Sequence, residues 1–345
     1  MVETRAETSQ PFVTIAIASS EDERRIEACL QCALAQDYPS ELVEIIVADA
    51  MSMDATREII HGAAEKAPRI RMLDNTLRTR AAALNAILRA GRGEIVVPMD
   101  PGGDYAKTHV SKCVQALASS PADHLAIVPR VAGRTLVERA FSAVQKTRLA
   151  FAAGAELARG SEDVPALLGA VRRKVFDRVG LFDPGTKVEE DDELSHRITQ
   201  SGGAVTVRRD IVVHKADAAG FKDLFRRHYQ LGRSRARRTV KERRLASVRV
   251  LGPLAIVVGG GALAVTSSIQ PLTPFALGAY ALVTGAAAVR VARGEGFATI
   301  PIAWAAFPVM HVAHGVGFGS GLVRSIVRPD WAPSERLDDV IPASA

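Results

Sequence analysis

Residues 250–289 contain no charged side chain, a run of 40, and residues 297–323 contain none either, a run of 27. No other feature of the 345 residues limits the fold as tightly, because a bilayer core takes about 20 apolar residues per helix. The first run is twice that length and is broken near its middle by Gln270, Pro271 and Pro274. It predicts a helical hairpin over 250–268 and 272–289. The second run predicts one more span. Its tail holds Gly315, Gly317, Gly319 and Gly321, so that part is expected to be a poor helix and partly re-entrant. Three buried helices of a soluble core are the alternative, but such helices usually show a polar face and these do not.

A basic segment precedes the first run. From Lys222 to Arg249 there are eleven Lys or Arg against two acids, a local excess larger than the +6 of the whole chain. Such a segment marks the cytoplasmic side of a span and attracts anionic headgroups, so membrane lipids are an expected partner. Nucleic acid is the other reading of a basic run. It needs interleaved aromatics or a recognition fold, and only Phe225 and Tyr229 lie nearby, so it is set aside. No cleavable signal peptide is read at the start, since the first apolar run, residues 12–18, is too short. The polar part is therefore expected in the cytoplasm. Three cysteines fit a reducing compartment. Cys29 and Cys32 have redox or zinc spacing, but they sit on the apolar face of a helix with no second pair, so a core role is expected.

Residues 11–19, PFVTIAIAS, form an apolar, β-branched run of the kind buried on both faces of a sheet. LVEIIVADA (42–50), RIRMLD (69–74), EIVVPMD (94–100) and HLAIVPRV (124–131) predict further strands. Helices are expected between them, near 57–66 with Asp54 or Thr56 as cap, at 79–93 and at 108–117. VTVRRDIVVHK (205–215) reads as a later strand. Alternating strands and helices give an α/β fold with a parallel sheet flanked by helices, and its ligand site lies at the carboxyl ends of the strands. Asp49 and Asp100 both fall at such ends.

Five motifs in order, ACLQCALAQDYP, VEIIVADAMSMDATREII, AAALNAILRAGRGEIVVPMD, GLFD followed by EEDDELSHRI, and HYQLGR, carry a resemblance. From about residue 12 to residue 290 the chain resembles family 2 glycosyltransferases of the GT-A type, most of all the membrane-anchored branch that builds bacterial exopolysaccharides of the succinoglycan kind. The resemblance implies a GT-A (Rossmann-like) nucleotide-sugar-binding domain with a mixed sheet over residues 11–220. A basic juxtamembrane segment (221–249), a membrane region of two to three helices (250–323) and a polar tail (324–345) would follow, with residues 1–10 disordered. Implied partners are a nucleotide-sugar donor, a lipid-linked or saccharide acceptor and a polysaccharide-assembly complex. The implied location is the plasma membrane, multi-pass, with the catalytic domain cytoplasmic.

The resemblance also assigns chemistry. Asp49 would accept the ring N–H of the nucleotide base; a turn or capping role is its ordinary alternative. The loop from Ala18 to Glu23 would offer backbone donors to the nucleotide. Arg78 or Arg80 would reach the diphosphate, since the guanidinium fork suits phosphate. Asp100 matches the first acid of the family's metal motif and would hold Mg²⁺ or Mn²⁺, which needs only one or two protein carboxylates beside phosphate oxygens. Gly102 departs from the pattern, because a second acid or a histidine is common there. His214 is a candidate further metal ligand.

The run Glu189 to Glu193 supplies the proton acceptor. The family places an acid pair at a helix start beneath the acceptor, and the pattern gives Glu190 first and Asp191 second, with Leu194 and Arg197 on the helix. Asp191 is the expected general base of an inverting transfer, and Asp192 is the fallback. Neighbouring negative charge raises a carboxyl pKa, and the helix N-terminus partly offsets the repulsion. Gln230 and Arg233 match the family's QxxRW, but Ser234 replaces the tryptophan, which favours transfer of one sugar over polymerisation. A catalytically idle, nucleotide-binding membrane scaffold is the alternative from another class; Gly102, Ala18 in place of a proline, and Ser234 favour it. A transporter is disfavoured, because the spans hold no acid or lysine. Donor and acceptor specificity is expected within residues 131–170. Arg290 and Arg293 favour a cytoplasmic link after the hairpin. That leaves the C-terminus outside if the last span crosses, yet Arg324 and Arg328 follow it.

Overall fold

The computed structural model describes residues 10–131, 133, 135–150, 167–185, 190–215, 218–243, 245, 251–266 and 271–329. The expectations for residues 1–9 and for the tail beyond 329 lie outside these, as does much of the specificity segment (151–166).

Four apolar runs build the parallel half of the main sheet. They are β1 (Val13–Ser19), β2 (Val43–Asp49), β3 (Ile70–Asp74) and β4 (Ile95–Pro98), in spatial order β3-β2-β1-β4. β2 and β4 are buried at every residue, as strands covered on both faces must be. The helices between them are α1 (Ile26–Leu34), α2 (Thr56–Lys66), α3 (Arg80–Ala90) and α4 (His109–Ala118). Cys29 and Cys113 join the core on the α1 and α4 side, while the alanines and leucines of α3 pack the other face. Cys29 is buried, and burial pushes its thiol up to about 12. Cys32 donates to the Tyr105 carbonyl at 3.3 Å. Both thiols serve packing.

The other half is mixed. After β5 (Gly103–Tyr105) come β6 (His124–Ile127), β7 (Arg130–Val131), α5 (Leu136–Gln145), β8 (Leu167–Arg172), α6 (Val175–Val179), α7 (Glu190–Gln200), β9 (Val205–Arg208) and β10 (Val213–Lys215). β8 runs antiparallel between β4 and β6, and the whole sheet reads β3-β2-β1-β4-β8-β6-β9. A small second sheet, β5-β10-β7, stands beside it. Two expected strands are each divided between the sheets. Residues 124–131 split into β6 and β7, and 205–215 into β9 and β10, where Arg208 and Asp210 pair across the bend at 2.7 Å. Alternation within each run was legible, but the corner between sheets is set by tertiary pairing.

The C-terminal part is helical: α8 (Phe221–Glu242), α9 (Gly252–Thr266), α10 (Leu272–Glu295) and α11 (Ile300–Val327). The segments Leu272–Glu295 and Phe297–Val327 are long and apolar enough to cross a membrane; the first is 11% buried over its most apolar stretch and the second 44%. α11 corrects the sequence reading, since it stays helical through all four glycines to Val327. The glycines answer a packing need. A Cβ on Gly317 would stand 2.2 Å from the Tyr229 carbonyl oxygen of α8, and one on Gly232 would stand 2.3 Å from the His314 carbonyl oxygen. Two backbones meet there, and only glycine permits it.

Asp183, of the GLFD stretch, ties α8 to the sheet domain. Its carboxylate receives Arg237 through both oxygens, at 3.0 and 3.1 Å, and Lys241 at 2.5 Å. Burial acts to raise the Asp183 pKa, but the two cations outweigh it and hold the carboxyl below the usual range. A depressed folded-state pKa gives stability that is present at neutral pH and lost as pH falls through the acid range. Asp183→Ala removes the carboxylate that Arg237 and Lys241 share and is expected to cost about 3 kcal/mol, read as a lower unfolding temperature in detergent. The deficit relative to wild type should shrink on acidification.

Candidate active site

Arg80, the first residue of α3, gathers three carboxylates from distant parts of the chain. Its Nε lies 3.1 Å from Asp100 Oδ1, and its Nη1 lies 2.7 Å from Glu190 Oε1 and 3.0 Å from Asp191 Oδ1. Local structure sets each position. Thr79 caps α3 in extended conformation, accepting from the Ala82 N–H and donating to the Pro184 carbonyl. Asp100 follows the end of β4, and its N–H donates to Tyr105 Oη at 2.7 Å. Glu190 and Asp191 open α7, where the positive end of the helix favours acids. Leu194 and Ile198, fully buried on the same helix, seat it on the sheet. The site therefore lies at the carboxyl ends of the parallel strands, beside a small recess lined by Arg80, Pro98, Asp100, Tyr105, His109 and Ile127.

The electrostatics follow from one cation shared by three acids. Burial would lower the Arg80 pKa, but Asp100, Asp191 and Glu190 outweigh it and hold it well above the usual value. Burial, with help from Asp191, raises the Glu190 pKa against the pull of Arg80. Beneath the first turn of α7, Ser195 donates to the Asp191 carbonyl at 2.8 Å, and its Oγ is 3.1 Å from His124 Nδ1. Burial pushes the His124 imidazole down to about 4, partly opposed by Asp191. It is a neutral prop at physiological pH.

The other expected residues lie outside the Arg80 ion-pair cluster. Asp49 is fully buried. It accepts from Ser52 N–H (2.9 Å), Ser52 Oγ (2.6 Å) and Arg57 Nη1 (3.0 Å), while Arg57 also pairs with Asp74 at 2.8 Å. Three of its roughly four acceptor positions are used in holding the turn. In the loop after β1 the backbone donors have partners within the protein. The N–H groups of Ser20, Glu21, Asp22 and Glu23 are taken by Asp22 Oδ2, Ser52 Oγ, Thr56 Oγ1 and Asp54 Oδ2 respectively. The β1 and β2 loops brace each other, with Glu21 and Met51 in left-handed conformation. Ala18 is half-buried at the end of β1, and Glu23 and Arg78 are exposed, Arg78 at φ 55°. Gln230 and Arg233 lie on α8, where the Gln230 Oε1 is buried without a hydrogen-bond partner and Arg233 stands over the Tyr229 ring. The Asp192 side chain lies outside the described residues.

The further metal ligand expected from the sequence is His214. His214 is exposed on β10, opposite Asp104 of β5. Among the described residues no group of three or more His, Cys, Asp or Glu is placed to hold a metal ion. Asp100 alone still fits a hard cation whose other ligands are diphosphate oxygens and water.

Reading the residues missed four supports: Arg57, Asn85, Tyr105 and the Ser195–His124 pair. Asn85 was signalled by a polar residue inside the alanine-rich face of α3. It donates to the Phe182 carbonyl at 2.8 Å and accepts from the Phe182 N–H at 2.9 Å, fixing the GLFD turn.

A mixed Rossmann-like sheet with acids and one arginine at the carboxyl edge defines a GT-A type of nucleotide-sugar transferase fold, and a solved structure agrees. The mannosyltransferase PcManGT from Pyrobaculum calidifontis, in complex with GDP-Man and Mn2+, superposes with a TM-score of 0.60 at 24% identity, covering 89% of this chain and 88% of that one. At that identity the likeness speaks for the fold. Residues 14–180 match the model for glycosyl transferase family 2, so this segment is a glycosyltransferase domain of that family. The chain is also 28% identical over 280 residues to the succinoglycan biosynthesis protein ExoA of Rhizobium meliloti (strain 1021), covering 79% of this chain and 84% of that protein.

Proposed function

We propose that the chain is an inverting glycosyltransferase of polysaccharide or glycoconjugate synthesis, moving one sugar from a nucleotide diphosphate to a lipid-linked or membrane-proximal acceptor. The observation that carries the reading is the meeting of Asp100, Glu190 and Asp191 on Arg80. Asp191 takes the proton of the acceptor hydroxyl as that oxygen attacks the anomeric carbon. The bond to the diphosphate oxygen breaks on the opposite face, and configuration inverts. Arg80 and Glu190 hold the base in place, and Asp100 faces the leaving diphosphate. A divalent cation, Mg²⁺ or Mn²⁺, when held by Asp100, would neutralise charge on the diphosphate. The kinship to a succinoglycan protein supports a polysaccharide product, and the apolar helices with the basic α8 support a membrane location with the transferase domain cytoplasmic.

The test is nucleotide release by purified protein in detergent, with divalent metal, a panel of nucleotide sugars and a lipid extract as acceptor. Release that needs both donor and lipid supports the reading. Nucleotide binding with no release from any donor supports a scaffold instead.

Gly102 bears on metal affinity. A Cβ there meets only Arg25 Nη1, at 3.4 Å, so a side chain fits. Gly102→Asp adds a second carboxylate two residues from Asp100. It is expected to tighten Mn²⁺ binding in the presence of nucleoside diphosphate by about tenfold, roughly 1.4 kcal/mol, measured by calorimetry.

A further inference from the structure

α11 spans 28 residues, about 42 Å at 1.5 Å per residue, more than a hydrocarbon core of about 30 Å requires. Its buried face touches the transferase domain along its first half and α8, with part of α9, along its second. Thr299, just before it, is fully buried. Ala303, Ala306, Phe307 and Met310 share one core with Ala140, Phe141 and Val144 of α5. His311 Nε2 lies 2.6 Å from the Leu149 carbonyl oxygen. Further along, Gly317 and Gly321 seat against Tyr229, Arg233 and Ala236 of α8. A helix standing upright in a bilayer would carry α8 to the same depth. α8 bears Lys222, Arg226, Arg227, Arg233, Arg235, Arg237, Arg238 and Lys241, and charges at mid-membrane are strongly disfavoured.

The opposite face of α11 is a single apolar stripe at spacings of three, four and seven residues: Trp304, Pro308, Val312, Val316, Val323 and Ile326, all exposed. The stripe adjoins the exposed apolar surface of α9 and α10, which includes Val258, Val265, Phe275 and Leu282. Exposed cations flank it at both ends, Arg290 and Arg293 before and Arg324 and Arg328 after. An interfacial helix ordinarily turns a polar face to water; in α11 the transferase domain and α8 cover that side instead, and the apolar stripe with its flanking cations suits contact with anionic lipid.

We propose that α11 does not cross the membrane but lies in its plane, wedged between the transferase domain and an anionic lipid surface, with both ends on the domain's side. The α9–α10 hairpin is then the inserted element. This rests on the membrane location proposed above and refines it. It also removes a conflict in the sequence, because all four flanking arginines now lie on one side.

The test uses the full-length chain in vesicles of phosphatidylcholine and phosphatidylglycerol. Nitroxide labels are attached singly at Trp304→Cys, Val312→Cys, Val316→Cys and Val323→Cys, with Phe275→Cys as the hairpin reference, and depth is read from oxygen and nickel accessibility. All are exposed positions, but Trp304→Cys also removes a hydrogen bond to Thr284 Oγ1 (3.1 Å), so the other three α11 labels carry the result if that variant fails to fold; wild type gives the background from native cysteines. A common shallow depth for the four α11 labels is expected, with Phe275→Cys deeper. Residues 304 and 323 are about 28 Å apart along the helix. If α11 crosses, the labels pass through the bilayer centre and the proposal is overturned while the membrane reading stands. If the α11 labels face water but Phe275→Cys faces lipid, the proposal again fails alone. Water at all five positions sinks the membrane reading itself.

Discussion

Asp191→Asn is expected to lower sugar transfer by about 10²–10⁴-fold, the range that a positioned general base contributes, with nucleotide binding unchanged. The substitution keeps the shape of the side chain, so Arg80 can still bond its carbonyl oxygen, while the amide cannot take a proton. Asp191 heads α7, supported by Ser195 from below and Arg80 from the side. It therefore holds its place with little help from substrate. Glu190→Gln discriminates between the paired acids. Glu190 shares the same Arg80 nitrogen, so its loss should disturb orientation, with a smaller fall in kcat and a restored rate when aspartate is tried at the same position. The measurements are nucleotide release under saturating donor and calorimetric binding of the nucleoside diphosphate. Undiminished release in Asp191→Asn removes that residue from the mechanism, and an equal loss in Glu190→Gln transfers the role to its neighbour.

The strands were legible because their burial is written as unbroken apolar, β-branched runs, and β1, β2 and β4 lie within two residues of the expected bounds. Asp100 was legible because a parallel sheet places its ligand at the strand ends. Arg80 was read only as a phosphate contact. Its approach to Glu190 and Asp191 spans more than 100 residues, and no local pattern encodes such a pairing. The same holds for Asp183 with Arg237 and Lys241. Those cations looked like members of a membrane-facing basic run, yet two of them are committed to an internal ion pair. The glycines of α11 misled for the opposite reason. Propensity alone predicts a weak helix, but the close approach of α8 requires small residues there, and packing overrides propensity.

Arg80→Met should produce a large loss of stability and steepen its pH dependence around the site. Wild type places one guanidinium, 22% exposed, among carboxylates that are 8%, 11% and 17% exposed. Methionine fills similar volume but removes the guanidinium that the three acids share. Removing one partner from a buried ion pair costs about 3–5 kcal/mol, so the lower end, about 3 kcal/mol at neutral pH, is expected after some carboxyl protonation. Burial and Asp191 already raise the Glu190 pKa in wild type, and Arg80 opposes them. Without Arg80 the folded-state pKa rises further above the unfolded value. The folded protein then binds more protons than the unfolded chain, so stability falls as pH increases through the folded pKa and is regained below the unfolded one. Thermal unfolding in detergent from pH 5 to pH 8 should therefore show the variant approaching wild type in acid and diverging from it in base. Curves that stay parallel across that range would mean that the carboxylates are hydrated without Arg80 and that the arginine does not organise the site.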